Sequence, residues 1–193
     1  MTLCALQDVK TYLAITSASE DDVLTALIAA ASGDIGNYCN RTFEQATYTE
    51  TRNGNGADRM GVRQSPIVSV QSVSVDGLAV PAAPDAVSDG YVFSDTAIYI
   101  RNRGRHGFPS APWCFARGVQ NVALAYTAGY ATIPADLNQA CVELVAWKRA
   151  KRQRIDKTSE TLGNQQTQAY KLDGMPPSVI AAINSYRLPM IPP

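Results

Sequence analysis

The sequence predicts an α+β protein, a mainly α-helical bundle of about four helices with a β-rich subdomain inserted into it. Three observations carry this. Apolar residues recur at helical spacing in two stretches near the ends of the chain. Between them, from Gln45 to about Tyr126, the apolar spacing changes to two. The helical pattern then resumes abruptly at Ile133-Pro134, so the simplest packing joins the flanking helices into one body. On this reading residues 1–44 supply the N-terminal helices and 45–127 the inserted β subdomain. Residues 128–187 supply the C-terminal helices with a loop at 158–174, and 188–193 form an extended tail.

The first element spans Ala5 to Ile15, where Leu6, Val9 and Leu13 share one face. Ser19-Glu-Asp-Asp22 then reads as a helix start: Ser19 supplies a capping hydroxyl and three carboxylates occupy the first turn, where the helix dipole favours negative charge. The following helix carries Leu24, Ile28, Ala31, Ile35 and Tyr38, and ends at Asn40, a residue suited to the left-handed conformation. Gly33 and Gly36 each cost that helix roughly 1 kcal/mol against alanine, which points to close packing of another backbone.

The β block begins with alternation over Thr47–Thr51. The strongest alternation is IVSVQSVSV at Ile67–Val75, followed by the turn Asp76-Gly77 and a return through Leu78 to Val80. Tyr91–Phe93, Ile98–Ile100 and Val119–Tyr126 complete the expected strands, separated by the turn-rich NGNGAD, VPAAPDAVSDG and RNRGRHGFPSAP.

In YTAGYATIPADLNQA, Gly129 lets the last strand end and Pro134 opens a long helix to about Ile155, with Leu137, Ala140, Cys141, Leu144, Val145 and Trp147 on its apolar side. SETLGNQQTQAYKL, residues 159–172, has no sustained period and reads as a loop. Pro176 or Pro177 opens a last helix through Val179, Ile180, Ile183 and Tyr186, before the apolar, proline-rich LPMIPP.

The chain offers little chemistry. Its single histidine, His106, lies among arginines and glycines in a turn, and NGNGADRMG matches neither phosphate-binding glycine pattern. Cys4, Cys39, Cys114 and Cys141 show no CxxC spacing, which speaks against a zinc site or a redox pair and for reduced, buried thiols. No catalytic residue, metal or cofactor is assigned. No apolar run approaches a membrane span, and MTLCALQDVK lacks the pattern of an export signal, so a soluble, cytoplasmically made chain is expected.

Net charge is zero but unevenly placed. Residues 1–50 hold Lys10 and Arg41 against seven carboxylates, a balance of −5, while residues 101–157 hold ten Lys and Arg against Asp136, Glu143 and Asp156, a balance of +7. Such segregation serves either a nucleic-acid partner or contact between unlike faces of successive copies. Arg101-Asn-Arg-Gly-Arg105 and Lys148 to Lys157 are the two basic clusters.

Three stretches resemble the head-to-tail connector proteins of tailed bacteriophages, also called adaptor or head-completion proteins. They are LQDVKTYLAITSASEDDVLTALIAAASGDIGNYCNRTF, YTAGYATIPADLNQACVELVAWKRAKR and MPPSVIAAINSYR, in that order. The resemblance covers residues 3–43 and 122–187 and implies a non-enzymatic virion protein of the neck, between capsid and tail. It implies a homo-oligomeric ring, dodecameric, beneath the portal protein, through which DNA passes during packaging and ejection without sequence-specific contact. The next connector, stopper or tail protein would dock on it. Within that picture Glu20, Asp21 and Asp22 are candidates for one subunit boundary and Lys148, Arg149, Lys151 and Arg152 for the other. Tyr186, Arg187, Leu188, Met190 and Ile191 are candidates for the portal contact, and Arg101, Arg103 and Arg105 for the DNA channel. The alternatives are another neck part, such as a tail terminator or completion protein, and a DNA-binding module using the basic loop and helix.

Overall fold

The computed structural model describes residues 2–85, 87–101, 114–152, 159–162, 166–169 and 174–188. In chain order the elements are α1 (Leu6–Tyr12), α2 (Asp21–Cys39), β1 (Ala46–Gly54), β2 (Arg59–Gly61), β3 (Ile67–Val75), β4 (Leu78–Val80), β5 (Gly90–Phe93) and β6 (Ala97–Arg101). β7 (Gly118–Ala128), α3 (Ala135–Arg152), β8 (Ser159–Leu162), β9 (Gln166–Ala169) and α4 (Pro177–Ile183) follow, and a 3-10 turn over Asn184–Tyr186 closes the series. The class is α+β. The expectation of a mainly helical protein is not met, because the strands of the described residues cover about as much chain as the α-helices.

The elements fall into two compact units, one built from the chain up to Asn40 together with Ile133–Arg187, the other from Arg41–Thr132. In the first, α1 is shorter than its periodicity suggests. Asp8 accepts a hydrogen bond from the Ala5 N–H at 3.2 Å, the reciprocal half of a capping box, and Ala14 at φ 54° ends the helical path. Ser19 does not cap α2. The helix starts one residue later than expected, with Glu20 at the cap position, and the Ser19 hydroxyl meets that of Ser17 at 3.0 Å. Asp21 and Asp22 do occupy the first turn.

The predicted apolar stripe is real: Leu24, Ile28, Ala31 and Ile35 are buried, and Asn40 terminates α2 at φ 53°, ψ 36°. Gly33, by contrast, is exposed, with nothing within 4 Å of where a Cβ would stand, so no backbone packs there. Pro134 does precede α3, which buries Leu137, Ala140, Cys141, Val142, Leu144 and Val145. α4 carries Pro177 at its first turn, where the missing N–H costs nothing, and buries Val179 and Ile183. Each of the leucine, valine and isoleucine side chains among these contributes about 1.5–3 kcal/mol relative to exposure. The stretch expected as a loop holds the antiparallel hairpin β8–β9, with Ser159 opposite Ala169 and Leu162 opposite Gln166. The expected end of α3 at Ile155 lies outside the described residues.

In the second unit two antiparallel sheets, ordered β1-β7-β3-β4 and β2-β6-β5, share one core. Met60, Ile98, Ile100 and Tyr91 contribute from the small sheet, and Val73, Val75, Val122, Leu124 and Tyr126 from the large one. Asp76 and Gly77 both take positive φ, as a tight hairpin turn between β3 and β4 requires. The alternation of β3 is broken by register shifts at Ile67/Ser69 and Val70/Ser72, which leave Val68 48% exposed. β2 went unseen in the sequence reading, since three residues carry no period.

Gly129 stands just past β7 at φ +114°. Its N–H donates to the Pro66 carbonyl at 2.9 Å, and an added Cβ would lie 2.4 Å from the Glu44 carbonyl oxygen. Here glycine is required both by the backbone angle and by the approach of another strand.

Candidate assembly surfaces

The acidic start of α2 and the basic end of α3 are joined within the chain. Arg149 donates from Nε and one terminal nitrogen to the two carboxylate oxygens of Glu20, at 2.8 and 3.2 Å. This two-pronged pairing holds the Glu20 carboxyl below its usual range and raises Arg149. Lys10 on α1 reaches Asp21 at 2.8 Å, and Lys148 reaches Asp34 at 2.6 Å. Four of the seven charged residues expected at subunit boundaries, Glu20, Asp21, Lys148 and Arg149, thus have partners in their own helical unit. Lys151 lies with its ammonium 4.9 Å from the centre of the Trp147 ring. Asp22 and Arg152 are exposed and form no ion pair among the described residues.

The end of the described chain is tied down just as specifically. The Tyr186 hydroxyl lies 2.8 and 2.7 Å from the two carboxylate oxygens of Asp136, in the first turn of α3. The Arg187 guanidinium stands over the Tyr38 ring at 5.3 Å, a cation–π contact. Leu188 is half-buried. Met190 and Ile191 lie outside the described residues. The last turn is therefore held against α2 and α3, which fixes the point from which the remaining residues leave.

Of the arginines expected at the DNA channel, Arg101 ends β6, is half-buried and donates to the Asp85 carbonyl at 3.2 Å. The Asp85 carboxylate accepts from the Val87 and Ser88 amides and the Ser88 hydroxyl, and its pKa is lowered mainly by the two amides. Arg101 thus ties the end of β6 to Asp85. Arg103 and Arg105, like His106, lie outside the described residues.

Sequence reading missed the buried polar network of the β unit. Glu50 and Arg52, on the same face of β1, pair at 3.2 Å with both side chains more than nine-tenths buried. Tyr126 on β7 is wholly buried; its hydroxyl bonds to Glu50 and accepts from the Gln64 N–H at 3.2 Å, while the Arg63 N–H reaches the same carboxylate at 3.0 Å. Burial, then the bond to Glu50, pushes the Tyr126 phenol up. The available signal was the alternation of Tyr48, Glu50 and Arg52 on one side of a half-buried strand. Nearby, Arg41 is buried between the Phe43 and Tyr130 rings, at 5.0 and 5.3 Å, and donates to the Ser65 carbonyl. Glu50 and Arg52 are paired internally, whereas the buried Arg41 Nε and Tyr48 hydroxyl have no hydrogen-bond partner among the described residues. Among the described residues no group of three or more His, Cys, Asp or Glu is placed to hold a metal ion, and no helix is long and apolar enough to cross a membrane.

Compared with known proteins, residues 2–188 match the family model described as head completion protein. No curated protein matches the chain in sequence. Among solved structures the fold is similar to a chain in the neck of an empty gene transfer agent particle computed with C6 symmetry, with TM-score 0.56 and 19% identity over 98% of this chain and 91% of that one. A neck chain of the native particle computed with C12 symmetry gives 0.53 and 17% over 96% and 89%. One in the virion of the native gene transfer agent gives 0.54 and 16% over 98% and 91%. At these identities the likeness is one of fold.

Proposed function

Because the chain belongs to the head completion protein family, structural proteins of the head-to-tail connection in the virion neck, we propose that it assembles as a closed ring of twelve copies on the portal. The ring lengthens the channel through which DNA passes and offers the next connector, stopper or tail protein its docking surface. The match over residues 2–188, nearly the whole chain, carries this reading. The nearly full-length fold likeness to neck chains of particles treated with six- and twelvefold symmetry supports the ring. The protein acts without catalysis: its buried ionisable groups serve packing.

A ring joins unlike faces of successive copies. Asp22 and Arg152, exposed and in no ion pair among the described residues, are the charges offered to a neighbour, while Glu20, Asp21, Lys148 and Arg149 shape those faces from within and Lys151, over the Trp147 ring, belongs to the same boundary as Arg152. Tyr186 and Arg187, held by Asp136 and Tyr38, together with Leu188, Met190 and Ile191 make the portal contact. Arg101, Arg103 and Arg105 belong to the channel side, where positive charge meets phosphate without reading bases. The helical residues form the assembly body, and the β unit, residues 45–127, is an insertion in their sequence.

The test is electron microscopy of the purified protein mixed with its portal. Rings stacked on the portal are expected, and their loss on truncation after Arg187 is expected too. A protein that neither forms rings nor copurifies with portal overturns the reading. Free monomers in the absence of portal do not bear on it, since the portal supplies the template.

A further inference from the structure

Cys4 and Cys141 lie 137 positions apart in sequence, yet their sulfurs are 3.2 Å apart in the helical unit. Both are buried, at 4% and 0% exposure, and neither is bonded to another cysteine. Cys4 sits in the segment before α1, Cys141 on the buried face of α3. The Leu3 N–H donates to the Ser32 hydroxyl at 2.9 Å, which pins this segment on α2, and that hydroxyl lies 3.7 Å from the Cys141 sulfur. Two thiols held at contact distance by independently anchored elements need only a small side-chain movement to reach bonding distance.

We propose that this pair is a latent disulfide site, which closes on exposure to a peroxide and staples the N-terminal segment to α3. The chemistry balances without any group from the protein beyond the two thiols. The Cys141 sulfur accepts hydrogen bonds from the Cys4 thiol, the Ser32 hydroxyl and the Cys4 N–H, which lower its pKa despite burial, whereas Cys4 is raised. These hydrogen bonds favour the Cys141 sulfur as the thiolate once the pair loses a proton. That thiolate attacks one oxygen of hydrogen peroxide, the O–O bond breaks, and a sulfenic acid and one water result. The Cys4 sulfur then displaces that hydroxyl as a second water and loses its own proton. In sum two thiols and one peroxide give one disulfide and two waters. A small oxidant suits the site because local opening of residues 2–5 is enough to admit it. In the reducing cytoplasm the thiols stay free. A neck protein leaves that compartment with the particle, so the staple would set after release; this biological consequence rests on the proposed function, but the chemistry does not.

The experiment is treatment of the purified full chain with hydrogen peroxide, followed by blocking of free thiols and peptide mapping by mass spectrometry. Expected are a mass loss of about 2 Da, a single cross-linked peptide pair containing Cys4 and Cys141, and reversal by dithiothreitol. The melting temperature should rise by roughly 5 °C or more on oxidation. The double variant Cys39→Ser, Cys114→Ser should behave the same, while Cys4→Ser should gain oxygen or stay reduced and never lose 2 Da. Mapping of the unaltered chain decides the question even if a variant misfolds. Cys4 and Cys141 both trapped as separate blocked or oxygenated thiols overturns the proposal. None of these readouts involves the portal, so failure here leaves the neck reading standing, and absence of rings leaves this one standing.

Discussion

Gly129→Ala is the substitution whose effect the structure fixes most closely. The new methyl would stand 2.4 Å from the Glu44 carbonyl oxygen, 2.6 Å from its carbon and 2.8 Å from the Gln45 Cα, all backbone atoms that no rotamer change can move aside. Alanine at φ +114° adds strain of about 1–3 kcal/mol. Relief of the clash means separating the 43–45 strand from the 129–130 turn. That weakens the Tyr130 N–H to Phe43 carbonyl bond, 2.8 Å, and the Gln45 N–H to Tyr130 carbonyl bond, 3.3 Å, at about 1 kcal/mol each. A loss of roughly 3–5 kcal/mol follows, or about 6–20 °C in melting temperature for a chain of this size. Gly77→Ala is the internal control: φ is +77° there, but nothing lies within 4 Å of the added carbon, so only the strain remains. Thermal melts followed by circular dichroism would give both numbers. If Gly129→Ala costs no more than Gly77→Ala, the steric argument fails and the 129–130 turn is softer than its hydrogen bonds to residues 43–45 imply.

Two further substitutions test the polar contacts. Glu50→Ala should cost about 3–5 kcal/mol in urea unfolding, because it strands the buried Arg52 guanidinium; the double variant Glu50→Leu, Arg52→Met should be less destabilised than Glu50→Ala alone, and the reverse order would mean that the pair is solvated in solution. Glu20→Gln should lower stability slightly at neutral pH and flatten its acid limb. The folded carboxyl titrates below its unfolded value, so its contribution is present above the usual carboxylate range and lost as the pH falls through the lowered one. Melting temperatures against pH for the two proteins would diverge at neutral pH and converge in acid; parallel curves would show that the Arg149 contact does not persist in solution.

Elements set by local rules were legible in the sequence. The αL terminator Asn40, the Asp76-Gly77 turn and Pro134 before α3 each obey a constraint carried by one or two residues, and the structure has all three. What could not be read were pairings between distant segments. β2 exists because Met60 fills a core against Ile98, not because three residues show a pattern. The β8–β9 hairpin has polar, aperiodic strands, and the sulfurs of Cys4 and Cys141 meet only because the segment before α1 packs near α3.

The charges make the same point with a functional consequence. Composition shows an acidic first quarter and a basic later segment, and it cannot distinguish attraction between copies from attraction within one. The structure uses Glu20, Asp21, Asp34, Lys10, Lys148 and Arg149 within one copy, holding α1, α2 and α3 together. Partly exposed pairs of this kind stabilise only weakly, so their worth lies in orienting helices whose buried faces supply most of the energy. An assembly face built from such helices inherits a fixed shape. In the proposed ring, charge reversal at Asp22 or Arg152, which form no ion pair among the described residues, should weaken assembly, and reversal at both should partly restore it if the two meet across the subunit boundary.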